Sequence, residues 1–265
     1  MRLILFLTIL CIGCTLPPAN LQQFRLDIET RVQGDSSYIE ITNPVRTPLQ
    51  FFIRKENEID DWLSFILPAS ADTQLVFSIY SLNEEQMGNL KYSISFGDPE
   101  TIWVDTSANY RLPFPTGKKY KVIQGYEGSF SHNSDFSRYA IDFNMEIGDT
   151  VTAARDGVVI GIIEGYDIGG NAKKYRPYAN YITILHADGV MTQYVHLQKN
   201  GALVSLGDSI MAQQPIGISG NTGYTSIPHL HFNVLKPVPK NAISIPVRIN
   251  GVQGSKLKKG VTYSH

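Results

Sequence analysis

The sequence has little cysteine and almost no net charge. Its 265 residues include two cysteines, Cys11 and Cys14, both close to the first residue. The chain that follows them can form no internal disulfide bond, so its stability must come from a hydrophobic core or from a bound metal. With 23 Lys and Arg against 24 Asp and Glu, the net charge is −1. This balance removes the electrostatic basis for binding nucleic acid.

Long hydrophobic runs are also rare, and the clearest one is short. Arg2 precedes an apolar run from Leu3 to Leu10, and small residues follow before Cys14. Such a run is too short to cross a bilayer as a helix, and the pattern predicts a secretory signal over residues 1–14. The Gly13–Cys14 junction resembles a bacterial lipobox. That resemblance implies an exported lipoprotein of the cell envelope, anchored in the membrane through Cys14 and facing the periplasm or the cell surface.

The composition predicts an all-β fold class. Aromatic residues make up 11% of the chain and stand among 22 Gly and 14 Pro, a mixture typical of many short strands and turns. Residues 20–112 show the period of two expected of half-buried strands, which predicts a small antiparallel β-sandwich of roughly seven strands and of unknown role. A turn-rich stretch at residues 112–117 separates it from a second domain. The alternation is clearest in Leu90, Tyr92, Ile94 and Phe96.

The histidines are concentrated in the second half of the chain. Five of the six lie between His132 and His231, and the sixth is the last residue. His229 and His231 are two residues apart, so in a strand their side chains project from the same face. Two imidazoles on one face offer two metal ligands, or one ligand and one proton-transfer group. Because His-x-His pairs also arise by chance, packed histidines without chemistry remain the alternative for this pair taken alone.

Further motifs precede this pair in a fixed order. They are Tyr139–Phe143, Gly148–Gly157, Tyr194–Leu197 and the glycine-rich Gly217–Pro228, which leads directly into the His-x-His strand. Together these motifs resemble the lysostaphin/LytM-type zinc peptidases, which cut peptide bonds in bacterial cell walls. The resemblance covers under half of the chain, from about residue 125 to residue 234. It implies a zinc-peptidase domain over residues 118–240, built as a β-sheet groove, with residues 241–265 as a C-terminal tail.

The resemblance also implies the metal ligands. The family's zinc ligands correspond to His231, Asp142 and a histidine ahead of that aspartate, holding one Zn²⁺ per chain. The shortest family pattern has three residues between this histidine and the aspartate, and Arg138 stands at that position here. The nearest histidine is His132, with nine residues between it and Asp142, so we expect a long-spaced variant in which His132 is the third ligand. Asp135 is a weaker substitute.

Four further residues match family positions that do not bind the metal. His196 and His229 correspond to the two catalytic histidines, one acting as base or proton donor and the other stabilising developing charge. The sequence does not assign which does which. Asn180 is expected to line the substrate groove, and His186 is expected to be structural.

Three classes of function follow from these motifs. The resemblance favours a zinc-dependent endopeptidase that hydrolyses peptide cross-links of bacterial peptidoglycan, with stem peptides or cross-bridges as partners. The first alternative is a catalytically inactive protein that binds peptidoglycan or activates another hydrolase. The second is a β-rich envelope scaffold with packed histidines. The pair Asp142 and His231 separates the endopeptidase from an inactive relative, because inactive relatives often lack one of them.

Overall fold

The computed structural model describes residues 16, 27–56, 63–69, 74–80 and 82–265. The predicted signal segment, residues 1–14 with Cys14, lies outside these residues. Within the described chain, no helix has both the length and the apolar character needed to cross a membrane. Strands account for most of its regular structure, which confirms the all-β fold class.

The N-terminal half contains two three-stranded antiparallel sheets. Their orders are β1–β2–β5 and β4–β3–β6. A short helix, α1 (Glu84–Gly88), begins with a capping box in which Asn83 and Gln86 satisfy each other's backbone N–H groups. The strands are β1 (Asp27–Gln33), β2 (Ser36–Thr42), β3 (Leu49–Arg54), β4 (Leu63–Leu67), β5 (Gln74–Tyr80) and β6 (Lys91–Phe96).

The two N-terminal sheets share one hydrophobic core. Ile39 and Ile41 of β2 are fully buried together with Leu49, Phe51 and Ile53 of β3. In β2 the buried residues alternate with half-buried ones, as the period of two predicts. The described part of this half therefore has six strands around one core, where the sequence pattern indicated about seven.

The C-terminal half is built on a nine-stranded sheet. Its order is β16–β11–β13–β14–β19–β9–β8–β23, and β20 pairs with β19 beside that path. The remaining elements, which include two 3-10 helices (Lys173–Tyr178 and Gly254–Lys256), connect or cover it. The strands are β7 (Asn109–Tyr110), β8 (Lys119–Gln124), β9 (Ile141–Phe143), β10 (Thr150–Thr152), β11 (Gly157–Ile163), β12 (Gly169–Gly170), β13 (Tyr181–Leu185), β14 (Met191–Val195), β15 (Leu197–Ala202), β16 (Ser209–Ile210), β17 (Pro215–Ser219), β18 (Gly223–Tyr224), β19 (Leu230–Val238), β20 (Asn241–Ser244), β21 (Arg248–Ile249), β22 (Val252–Gln253) and β23 (Thr262–Ser264).

The expected C-terminal tail is part of this sheet. Strand β20 forms a hairpin with β19, and β23 pairs with β8. The predicted domain boundary at residue 240 is therefore too early. Backbone hydrogen bonds to β19 and β8 hold residues that looked like a tail because their sequence has no strong hydrophobic period.

Strand register determines what the two faces of the large sheet carry. On one face Ile182, Tyr194 and Phe232 lie side by side and are buried in the main core. One residue away on each strand, the pleat turns the side chains to the open face. There Tyr181 pairs with Val195 and Val195 with His231. This open face is the floor of the groove described below.

Candidate active site

Three side chains meet at the floor of the groove on neighbouring elements. Asp142 of β9 and His231 of β19 are directly opposite each other in the antiparallel register. Paired residues in adjacent strands project from the same face, so their side chains meet. His132 comes from the loop that joins β8 to β9, and its ring lies against that of His231 with 5.0 Å between centroids.

The contacting atoms of these residues form a tight triangle. Asp142 Oδ1 lies 3.1 Å from His132 Nε2 and 2.8 Å from His231 Nδ1, and the two nitrogens are 3.2 Å apart. Ligands at about 2.0–2.1 Å around a tetrahedral zinc ion are about 3.3 Å from one another. The three atoms are therefore spaced as zinc ligands would be, and two imidazoles with one carboxylate suit that metal.

Groups around the triangle orient its members. His132 Nδ1–H donates to the carbonyl of Gly125 at 2.8 Å, which turns Nε2 toward Asp142 and His231. The amide of Gln124 donates to the other carboxylate oxygen, Asp142 Oδ2, at 3.0 Å. Such outer partners hold metal ligands in place. Gln124 is not recognisable in the sequence, because a lone glutamine in a strand belongs to no motif.

The charge state of Asp142 suits a metal ligand. Burial by itself would raise the pKa of this carboxyl, but its contacts with His132 and His231 outweigh burial and hold the pKa well below its ordinary value. Asp142 is therefore an ionised carboxylate, and it lies in a largely water-free place. Buried charges of this kind are paired or coordinate a metal.

His196 and His229 lie beside the triangle without joining it. Their ring centroids are 4.6 Å apart, and His229 Nε2 is 3.9 Å from Asp142 Oδ1. In each ring Nδ1–H donates to a backbone carbonyl, that of Thr222 for His196 at 2.7 Å and that of Ile227 for His229 at 2.8 Å. Nε2 is then the nitrogen left for chemistry in both.

The backbone and burial of His196 are unusual. Its φ of 68° places a non-glycine residue in the left-handed region, at the junction of β14 and β15. Such a conformation costs energy and persists only where surrounding contacts enforce it. Burial lowers the pKa of His196 well below its ordinary value, and the neighbouring His229 and His231 lower it further. Its imidazole is therefore neutral at physiological pH.

The triangle opens on a groove cavity of about 440 Å³. His196, His231 and Tyr224 line it, and the ring of Phe130 stacks on that of Tyr224 with 5.1 Å between centroids. Arg176 also lines the cavity, with its guanidinium 6.0 Å from the Tyr224 ring centre. Tyr224 lies within the glycine-rich motif Gly217–Pro228, whereas Phe130 and Arg176 belong to no motif and were not singled out from the sequence.

Asn180 does not line the groove, and the expectation that it would is wrong. Its side chain is fully buried, and its amide bonds with the backbone of Tyr166 and donates to the carbonyl of Leu197. Asn180 thus ties together the segments that contain Tyr166 and Leu197. The neighbours Ala179 and Tyr181 line the cavity instead.

His186 is buried away from the triangle. Its Nδ1–H donates to the carbonyl of Asp156 at 2.8 Å, and its Nε2 accepts from the hydroxyl of Thr192 at 3.1 Å. Burial lowers its pKa to about 4, so the ring is neutral and fully hydrogen-bonded near pH 7. These contacts are those of a structural histidine.

The substitute ligand considered in the sequence lies outside the site. The Asp135 carboxylate is exposed and pairs with Arg138 at 3.0 Å. Arg138 stands where the shortest family spacing would place the histidine. The loop between His132 and Asp142 therefore turns these two polar side chains to solvent while it brings His132 back to the sheet.

The part of the chain that is similar to known proteins contains most of this site. Residues 136–244 match peptidase family M23. The chain is 36% identical over 132 residues to an uncharacterized metalloprotease of Buchnera aphidicola, covering 49% of this chain and 32% of that protein. It is 38% identical over 141 residues to the peptidoglycan DD-endopeptidase ShyA of Vibrio cholerae, covering 51% and 30%. The chain thus spans about a third of these curated relatives or less.

Two further comparisons involve lysostaphin of Staphylococcus simulans. The chain is 40% identical to it over 95 residues, which cover 36% of this chain and 17% of lysostaphin. The solved catalytic domain of that protein aligns at 28% identity over 48% of this chain and 87% of the domain, with a TM-score of 0.34. His132 precedes the residues matched to the family, so its place rests on geometry alone. The segment that carries Asp142, His196, His229 and His231 matches the model of peptidase family M23.

Proposed function

We propose that this protein is a zinc-dependent endopeptidase that hydrolyses peptide cross-links of bacterial peptidoglycan. The observation that carries the proposal is the convergence of His132 Nε2, Asp142 Oδ1 and His231 Nδ1 at the floor of an open groove. The names of the relatives, a peptidoglycan DD-endopeptidase and lysostaphin among them, support the choice of substrate.

The donor set favours zinc over harder cations. Two imidazole nitrogens and one carboxylate oxygen are typical of catalytic zinc sites, which keep a further position open for water or substrate. When bound, zinc supplies Lewis acidity that activates water and polarises the scissile carbonyl near neutral pH. His132, Asp142 and His231 would hold it.

The chain's own residues supply the proton transfers. His196 and His229 each present Nε2 to the site, because a backbone carbonyl occupies Nδ1. One of these imidazoles takes the proton from the attacking water and passes it to the leaving amine. The other donates a hydrogen bond from Nε2 to the oxyanion that develops on the carbonyl, and it must carry a proton on both nitrogens to do so, because its Nδ1–H is bonded to the backbone. The ring separation of 4.6 Å lets both act on one peptide bond.

The presence of all five site residues argues against an inactive relative. They are His132, Asp142, His196, His229 and His231. A protein that only binds peptidoglycan has no use for His196 in a strained backbone conformation beside two imidazoles. Strain of this kind is common at active sites.

The purified protein, without residues 1–14, should contain about one zinc per chain and release soluble peptides from purified cell walls. Zinc analysis and mass spectrometry of the fragments measure both, and the fragments identify the bond that is cut. Removal of the metal with a chelator should stop cleavage, and added zinc should restore it. Stoichiometric zinc without any cleavage would point to the binding alternative, and absence of zinc would contradict the proposal.

We also propose that the protein is tethered to the membrane through a lipid on Cys14, in keeping with a substrate in the cell envelope. Cells fed a labelled fatty acid should label the wild-type protein and leave Cys14→Ser unlabelled. The matched variant Cys11→Ser keeps the lipobox-like Gly13–Cys14 junction and should still be labelled. A wild-type protein that carries no label would refute the tether.

A further inference from the structure

The N-terminal sandwich is held against the hairpin of β19 and β20. Buried Gln50 of β3 uses both atoms of its amide there: Nε2 donates to the carbonyl of Val238 at 3.1 Å, and Oε1 accepts from the N–H of Lys240 at 3.0 Å. A buried amide satisfied on both sides by another element's backbone fixes position as well as distance. The hairpin that carries His231 at its far end is thus attached to the sandwich.

Strand β6 makes the apolar part of this contact. Phe96 packs against a cluster that includes Met191, Leu235 and Ala242 of the large sheet. At Gly97, which has a φ of 80°, a side chain would collide with the ring of Pro237. The two halves of the molecule therefore approach closely at the end of β6.

The open face of the large sheet runs from the metal triangle to this contact. His231, Asn233 and Leu235 share one face of β19. Asn233 is fully buried and donates to the backbone carbonyl of Phe136, and Leu235 lines the cavity described next. At about 3.3 Å per residue, the row containing Leu235 is about 13 Å from the row containing His231. An extended peptide covers that distance with about four residues.

A second cavity, of about 210 Å³, lies at the far end of this path. Strand β6 forms one wall of it. Phe136, Tyr181, Gln193 and Asn241 line both this cavity and the groove cavity at the triangle, so the two are neighbours along one floor. None of the described residues that line the second cavity is charged.

The sandwich does not cover the triangle. Within the described chain, the residues that line the groove cavity all come from position 131 onward. Of these two cavities the sandwich reaches only the second, through Ile94, Ser95 and Phe96. Its position is that of an end wall, and the groove above His196 and His231 is left open.

We infer that β6 is part of the substrate-binding surface: it binds an uncharged stretch of the peptide arm of a cross-linked substrate, about four residues from the scissile bond. This inference rests on the proposed function. The second cavity is continuous with the groove, and its described lining is uncharged. Both features suit an extended peptide with small or apolar side chains. The sandwich thereby favours substrates with long peptide arms.

Two matched variants test the role of β6. Ile94 and Ile66 are both 38% exposed and lie on the opposite edge strands of the same sheet, β6 and β4. Each is changed to Asp, and far-UV circular dichroism checks the fold. The substrates are a cross-linked peptide dimer with complete stems and the same dimer trimmed to two residues on each side of the bond.

Ile94→Asp should raise KM for the complete dimer about tenfold with kcat nearly unchanged, since binding remote from the reacting atoms is lost. It should leave the trimmed dimer unaffected, and Ile66→Asp should match the wild type on both. If Ile94→Asp does not fold, Ile94→Ala should show a smaller change in the same direction.

The inference would be overturned if Ile94→Asp had the same KM for the complete dimer as Ile66→Asp. It would also be overturned if Ile94→Asp raised KM equally for the complete and the trimmed dimer. Either result leaves the proposed function standing, because the wild type still cleaves. A wild-type protein that cleaves neither dimer contradicts the proposed function, and the role of β6 with it.

Discussion

The His231→Ala variant is expected to lose its zinc and all measurable digestion of cell walls. His231 Nδ1 is one of three atoms in the triangle and lies within 3.2 Å of both others. Two remaining ligands hold zinc far more weakly than three, and without the metal no activated water or polarised carbonyl is available. Metal analysis after gel filtration, beside release of wall fragments, measures both losses.

Variants of His132 and Asp135 identify the third metal ligand. His132→Ala should lose zinc in the same way, and Asp135→Ala should keep it, because the Asp135 carboxylate pairs with Arg138 in solvent. His265→Ala controls for loss of an imidazole elsewhere, as that ring contacts Phe114. A His231→Ala protein that retains stoichiometric zinc would show that the triangle is not the metal site.

His196→Ala and His229→Ala are each expected to keep about one zinc per chain and to lose activity by at least about a hundredfold. Loss of a general acid–base group costs about 10²–10⁴ in rate, and loss of an oxyanion donor about 10²–10³. Neither ring supplies an atom to the triangle. Because both groups act on the same transition state, the double variant should be only slightly less active than the less active of the two single variants.

The control for this pair is His186→Ala, compared under conditions in which its fold is intact by circular dichroism. His186 bonds with Asp156 and Thr192, so activity per folded molecule should stay near that of the wild type. If His229→Ala loses its zinc, the two histidines of the His-x-His pair have exchanged roles. Full activity in both His196→Ala and His229→Ala would exclude the mechanism.

Local sequence patterns determined much of the C-terminal half. The spacing of His229 and His231 placed both at the end of one strand, where they lie close to Asp142. Side-chain direction in a strand depends only on the alternation of the backbone, so it can be read from neighbouring residues. The order of the motifs then indicated the family.

Contacts between distant residues were decided only by the tertiary structure. His132 meets His231 across 99 positions of sequence, by way of a loop whose length no local rule sets. Asn180 looked like a groove residue, but its environment is made by Tyr166 and Leu197, which the chain brings from either side. Burial and partners of this kind depend on the whole packing.

The same holds for the orientation of the site and for the sandwich. The rings of His132 and His196 are turned by the backbone carbonyls of Gly125 and Thr222, and every residue has such a carbonyl, so no side-chain pattern marks these two. The alternation in β6 predicted a strand but not its neighbour. Only the docking of Gln50 on the β19–β20 hairpin brings β6 to the end of the groove. That docking depends on contacts between residues far apart in the sequence, which no local pattern shows.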